Sequence, residues 1–153
     1  MRNMKRAIIL IALVATVVAC GGNKEEKSTA KVNLVENYLA LKDALVATNP
    51  EQAQTAAKAF LEVNNNNALI ADLETIAAST DVVVQRQAFE GLSINMYTVV
   101  KAGGTETVLY KQFCPMAFSG KGAYWLAAEE EVNNPFYGDR MLHCGSVQET
   151  INQ

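Results

Sequence analysis

The stretch "LVENYLALKDALVATNPEQ", Leu34 to Gln52, decides the fold, because it contains one helix face and the signals that end it. Its apolar residues recur at intervals of four, three and four: Leu34, Tyr38, Leu41 and Leu45. This spacing places them on one face of a helix of about sixteen residues. Asn49 is then a helix N-cap, with Pro50 at the first helical position, so a second helix is predicted to begin here.

Two further helices are predicted after the second. The run of asparagines at 64–67 marks a loop, and a helix follows over about residues 68–78. The segment "STD" caps a longer helix over about residues 82–101, which ends at two glycines. Its predicted inward residues are Val84, Ala88, Leu92, Met96 and Val99. Four amphipathic helices with short connections predict an all-α, antiparallel helical bundle.

The last fifty residues are less regular and rich in cysteine and aromatic residues. Residues 107–113, "TVLYKQF", are extended or begin a helix. The segments "GAYWLAAEEEV" (122–132) and "SVQETI" (146–151) are predicted as short helices, with a turn at 133–139. Trp125 is predicted to anchor the core, and the run Glu129 to Glu131 to form the solvated side of its helix. We expect this segment to pack on the bundle.

The N-terminus has the pattern of a secretion signal. Three basic residues precede a short apolar run over residues 7–19, which is too short to span a bilayer. The run ends in Val17-Val18-Ala19-Cys20, which resembles the lipobox of bacterial lipoproteins. We therefore predict a lipoprotein signal peptide at 1–19, a lipidated Cys20 with a flexible tether to residue 31, and a domain at 32–153. Lipoproteins retained at the inner membrane often have aspartate directly after the lipidated cysteine. This chain has Gly21 there, which favours an outer-membrane location, facing the periplasm or the surface.

The charge balance argues against a nucleic-acid partner. The chain has thirteen Lys and Arg residues and sixteen Asp and Glu residues, and three of the basic residues lie in the predicted signal. The predicted mature protein therefore has a net charge of ten minus sixteen, or −6. Binding to DNA or RNA needs a basic face, so this class is disfavoured.

Cys114 and Cys144 are the candidate functional pair. They can form a disulfide that closes a loop of about thirty residues. Alternatively, they can bind a soft ion such as Cu(I), with Met116, Met141 and His143 nearby in the sequence. Zinc is disfavoured, because the segment offers three Cys and His ligands where a structural zinc site uses four. Both the disulfide and the metal site require the two cysteines to meet in space.

No catalytic residue is predicted. His143 and Cys144 are neighbours in the chain, and side chains at adjacent extended positions point to opposite faces. The histidine is therefore badly placed to activate that thiol, and no acid or oxyanion signature accompanies the pair. The sequence disfavours an enzyme.

Several blocks resemble a bacterial extracytoplasmic family, domain of unknown function 3347. They are "YLALKDALVATN" (38–49), "QRQAFEGLSINMYTVVK" (85–101), "YKQFCPMAFSGKGAYWLAAEEEVNNPFYGDRMLHCG" (110–145) and "VQETI" (147–151). Members of this family occur alone or fused to the periplasmic adaptor subunits of copper and silver efflux pumps. The block "FCPM" also looks like the start of a heavy-metal motif, although Ala117 and Phe118 replace its His-Pro.

The resemblance implies a mostly helical fold and a link to heavy-metal handling. The leading hypothesis is a non-enzymatic lipoprotein that binds Cu(I) or Ag(I) through Cys114, Met116, Met141 and Cys144, with His143 optional. Its expected partner is an efflux adaptor or another envelope protein. The alternative is a disulfide-stapled helical interaction module without a metal site, in which the binding surface is a helix face.

Overall fold

The four predicted helices are confirmed. The computed structural model describes residues 24–152. The helices are α1 (Lys24–Val46), α2 (Pro50–Val63), α3 (Asn67–Ala78) and α4 (Val82–Gly103), and each packs against the next along the chain. Helix α1 begins inside the range predicted as tether, and residues 1–23 lie outside the described part.

Asparagine and aspartate side chains cap the helices where the sequence predicts a start. The Asn49 side chain accepts a hydrogen bond from the Gln52 amide at 3.0 Å, with Pro50 at the first helical position. Asp81 likewise accepts from the Val83 amide at 2.8 Å before α4. These caps satisfy amides that have no partner inside the helix, so short-range chemistry sets both starts.

The C-terminal segment forms a sheet, so the all-α prediction is wrong. Strands β1 (Leu109–Cys114), β2 (Ala123–Ala127) and β3 (Ser146–Ile151) pair antiparallel in the order β2-β1-β3. The helical bundle exists, but a three-stranded sheet packs on it, with β2 against α4. The fold therefore combines helices and an antiparallel sheet.

The predictions of short helices at 122–132 and 146–151 are both wrong, for different reasons. In β2, Ala123, Trp125, Leu126 and Ala127 are all buried, so the strand has no solvated face and its apolar run shows no alternation. Pairing with β1 and packing on α4 outweigh the helix propensity of its Ala and Leu residues. Strand β3 alternates exposed and half-buried residues, which is the period of a strand with one covered face.

The inward face of α4 also differs from the prediction. Leu92 and Met96 are buried as expected, whereas Val84 is exposed. The buried face includes two long polar side chains, Gln85 and Arg86. An apolar pattern cannot reveal such a face, because polar side chains occupy part of it.

Aromatic side chains join the helices to the sheet. The Tyr38 ring stacks on Phe89 of α4 with centroids 5.2 Å apart. Phe136 contacts Phe89 and, at 5.9 Å, the ring of Trp125 on β2. Trp125 is completely buried, which confirms its predicted role as a core anchor. The helices and the sheet therefore share one hydrophobic core.

The acidic run Glu129 to Glu131 is a bend, so its prediction as a helix face is wrong. The Gln112 amide group donates hydrogen bonds to the backbone carbonyls of all three glutamates, at 2.9–3.2 Å. The Glu129 carboxylate pairs with the ammonium group of Lys42, which is 1% exposed and also contacts Asp43 at 2.8 Å. Side chains of β1 and α1 thus hold the chain as it leaves β2.

Candidate metal centre

The structure brings Cys114 and Cys144 together. Cys114 is the last residue of β1, and Cys144 precedes β3 by two positions. Because Phe113 lies opposite Ser146 in the sheet, the two cysteines reach the same end of neighbouring strands. Their sulfur atoms are 2.8 Å apart and both thiols are free, with Cys114 buried and Cys144 half-buried. Strand pairing therefore creates a two-thiol site at the end of the sheet.

Asn134 holds the loop that delivers Cys144. Its side-chain amide donates to the Cys144 carbonyl at 2.8 Å, and its side-chain oxygen accepts from the amides of Phe136 and Tyr137. Its backbone amide donates to the Leu142 carbonyl at 2.8 Å. Asn134 is fully buried, so these hydrogen bonds are shielded from water and fix both ends of the loop.

The two predicted methionine ligands are close to the cysteines in the sequence and exposed to solvent. Met116 follows Cys114 by two residues and is 52% exposed, and Met141 is 37% exposed. The Tyr137 hydroxyl donates to the Met116 carbonyl at 2.6 Å, which ties the segment after Cys114 to the loop before Cys144. Neither methionine is core filler.

His143 is exposed, and its Nδ1 atom lies 2.8 Å from the Val132 carbonyl oxygen. A carbonyl oxygen accepts hydrogen bonds, so Nδ1 carries the proton in the neutral ring. Nε2 then keeps its lone pair and is able to act as a metal ligand. This is a common arrangement for metal-binding histidines, whose second nitrogen donates to a protein oxygen.

The environment of Cys144 favours the thiol over the thiolate. Its hydrogen bond with Cys114 raises the pKa of Cys144, and desolvation and the negative charge of an ionised Cys114 raise it further. A hydrogen bond from the Met116 backbone opposes this shift. Cys144 is therefore protonated near neutral pH, and a metal must displace that proton to bind.

The donors at this centre are mainly sulfur atoms. Within residues 24–152 no group of three or more His, Cys, Asp or Glu side chains is placed to hold a metal ion. The other sulfur donors near these thiols in the sequence are the thioethers of Met116 and Met141. Thiolate and thioether sulfur prefer Cu(I) to harder cations, so the donor set fits Cu(I) and Ag(I) better than zinc or calcium.

Sequence reasoning missed Asn134 and Arg86 as supports of this centre. The Arg86 side chain donates to the carbonyls of Pro135 and Leu45, at 2.7 and 3.0 Å, and thereby joins the loop to the C-terminal end of α1. The segment "NP" at 134–135 offers a turn signal for Asn134. Arg86 has no signal of this kind, because it occupies a position on a predominantly apolar helix face.

A family model described as "Protein of unknown function (DUF3347)" matches residues 34–107. The chain belongs to the DUF3347 family. The match covers the described bundle from Leu34 through α4 and stops before β1, so the cysteine-bearing sheet lies outside it. No curated protein and no solved structure matches the chain.

The predicted signal peptide and Cys20 of this DUF3347 protein lie outside the described residues. In the part of the chain that the structure describes, no helix has the length and apolar character needed to cross a membrane.

Proposed function

We propose that this DUF3347 protein is a non-enzymatic, lipid-anchored protein of the cell envelope that binds Cu(I) or Ag(I) at Cys114 and Cys144. The observation that carries the proposal is the meeting of two free thiols at the end of the sheet, with sulfur atoms 2.8 Å apart. Two thiols at one place are the strongest donors for a soft monovalent ion.

The surroundings of the thiols fit such an ion. Cys114 is buried, which keeps water away on one side, whereas Met116 and Met141 are exposed and lie two and three residues from a cysteine in the chain. Thioether sulfur atoms from these methionines would complete the ligand set, and Nε2 of His143 would be an optional further ligand. The bound ion would be the cargo of the protein.

The raised pKa of Cys144 supports a function in buffering or transfer. Binding releases the thiol proton, so apparent affinity rises with pH until Cys144 is ionised. Exposed methionines leave the ion accessible to another protein, and we propose an efflux adaptor or another envelope protein as the partner. The anchor at Cys20 would keep the protein at the outer membrane.

The closeness of the same two sulfur atoms favours a second candidate. Oxidation of Cys114 and Cys144 would form a permanent disulfide, and the protein would then be a stapled interaction module of the envelope. A loop of about thirty residues closed in this way typically contributes about 2–4 kcal/mol. Reduction would lower the melting temperature, and copper would have no effect.

Native mass spectrometry of the chain exported to a bacterial periplasm with copper separates the two candidates. A mass raised by one copper, with both thiols retained, supports the metal site. A mass two hydrogens below the reduced value, without metal, supports the staple and contradicts the metal site.

A competition titration with a Cu(I) chelator then tests the residues. Cys114→Ser should abolish tight binding, and replacing Met116 and Met141 together by leucine should weaken it. Met96→Leu is the matched control, because Met96 is buried in α4 and should leave Cu(I) affinity unchanged. Unchanged affinity in Cys114→Ser, with a native circular dichroism spectrum, would refute the proposal.

A further inference from the structure

A cavity of about 220 Å³ opens between the start of α4 and the loops around the cysteines. Its apolar side chains are Val83 from α4, Phe118 from the turn after β1, and Phe136 and Tyr137 from the loop before β3. Two arginines, Arg86 and Arg140, also line it. The cavity is therefore an apolar space with two cations in its wall.

Neutral acceptors use only some of the hydrogen-bond donors of the Arg86 guanidinium group. Its Nε and Nη2 atoms donate to the carbonyls of Pro135 and Leu45 and to the Thr48 hydroxyl, at 2.7–3.0 Å. These bonds use two of the three guanidinium nitrogens, and Nη1 keeps its donors for a further acceptor. Its side chain is nevertheless buried, with 9% of its surface exposed.

Neither arginine at the cavity forms an ion pair with a carboxylate of the described residues. Within residues 34–152 the ion pairs join Lys42 or Lys101 to acidic groups, and none includes Arg86 or Arg140. Burial lowers the pKa of Arg86, and the charge of Arg140 lowers it further, so the two cations repel each other. A buried charge without a counterion is unfavourable, and an anion in the cavity would relieve both effects.

The turn that forms one wall has an unusual backbone. Phe118 and Ser119 both adopt left-handed conformations, with φ of 50° and 61°, which side-chain-bearing residues rarely do. This conformation places the Phe118 ring against Phe136, with centroids 5.3 Å apart. The fold thus maintains the apolar wall beside the two arginines at some cost in backbone energy.

We propose that this cavity binds a small organic carboxylate, with its apolar body among Val83, Phe118 and Phe136 and its carboxylate facing Arg86 and Arg140. Guanidinium groups recognise carboxylates through paired, charge-assisted hydrogen bonds. A cavity of about 150 Å³ accommodates benzene, so this one has room for a ring that carries a short acid. Neither thiol lines this cavity.

Phenylacetate is a suitable probe, and its uncharged analogue phenylacetamide is the matched control ligand. Titration of the ¹⁵N-labelled protein should shift amide signals of residues 118–119 and 136–140, and the amide analogue should bind at least about tenfold more weakly. Equal affinity for acid and amide would overturn the carboxylate assignment. Equal affinity for phenylacetate and inorganic phosphate would overturn the proposal that the apolar side chains bind the body of the ligand.

Two variants test the residues without disturbing the core. Arg140 is exposed, so Arg140→Gln should fold normally and weaken phenylacetate binding at least about tenfold. Val83→Phe should block the cavity, whereas Ile94→Phe introduces the same ring at another exposed position of α4 and should bind normally. If binding survives Arg140→Gln and Val83→Phe unchanged, or if no cavity signal shifts at millimolar phenylacetate, the proposal fails.

Discussion

Removing the hydroxyl group of Tyr38 should destabilise the attachment of the sheet to the bundle. Tyr38 lies on α1 with 1% of its surface exposed. Its hydroxyl group contacts both helix α4 and strand β2. It lies 2.8 Å from the Ser93 hydroxyl on α4 and accepts a hydrogen bond from the Leu126 amide of β2 at 3.1 Å. Strand β2 is an edge of the sheet, so the tyrosine provides a partner for an amide that points away from β1.

The size of the effect follows from what Tyr38→Phe leaves behind. The ring and its contacts stay, while the Leu126 amide loses its partner in the interior. A buried donor without a partner costs about 1–3 kcal/mol, and the lost bond to Ser93 adds to this. We expect a loss of about 2–3 kcal/mol in the free energy of unfolding, or about 8–12 °C in Tm at roughly 4 °C per kcal/mol.

Urea unfolding at neutral pH, followed by circular dichroism, measures this loss. Tyr110→Phe is the control, because it removes the same oxygen from a half-buried residue of β1 and should change stability by less than about 0.5 kcal/mol. Adding Ser93→Ala to Tyr38→Phe should cost less than the sum of the single changes, since the two hydroxyls are partners. A loss below about 0.5 kcal/mol in Tyr38→Phe would refute the reasoning.

The same residue predicts an alkaline pH dependence. Burial raises the pKa of Tyr38 above its ordinary value, and its hydrogen bonds oppose this shift. The unfolded chain therefore ionises this phenol first, so its contribution is complete below about pH 10 and is lost as pH rises towards the folded-state pKa. Tyr38→Phe should reduce the fall in stability above about pH 10, measured by urea unfolding between pH 8 and 11.

Two predictions concern the candidate metal centre. Asn134→Ala removes a fully buried amide group that makes three side-chain hydrogen bonds. It should lower the free energy of unfolding, measured by urea titration, by about 2–4 kcal/mol. A loss below about 1 kcal/mol would contradict its role in the loop. Because the hydrogen bond with Cys114 raises the pKa of Cys144, the pH midpoint for alkylation of reduced Cys144 should lie above the ordinary thiol value of about 8.5 and should fall in Cys114→Ala. An unchanged midpoint in that variant would contradict the coupling of the two thiols.

The helices were accessible to sequence reasoning because their signals are local. Asn49, Pro50 and Asp81 mark helix starts within a few residues, and the caps in the structure use those same side chains. Apolar spacing indicated the buried faces where the face is wholly apolar. It failed at the start of α4, where Arg86 and Gln85 are buried and hydrogen-bonded to backbone carbonyls of other segments.

The sheet was not accessible in the same way. Ala123 to Ala127 has the composition of a helix, and its extended form is stable because β1 and α4 lie beside it. The residues that stabilise the extended form of β2 therefore belong to other segments of the chain. Local signals exist for the other two strands: the β-branched and aromatic residues at 107–113 permit an extended segment, and Ser146 to Ile151 alternates exposed with more buried residues.

The sequence by itself determined the helical bundle, its caps and the membership of the DUF3347 family, and it identified Cys114 and Cys144 as a candidate pair. Only the tertiary structure decided that these two thiols meet, since their contact depends on the register of β1 with β3 and on the Asn134 loop. It also decided the placement of two arginines without an ion-pair partner at one cavity. Helix starts depend on interactions within a few residues, whereas a site built from distant segments depends on how strands and loops pack.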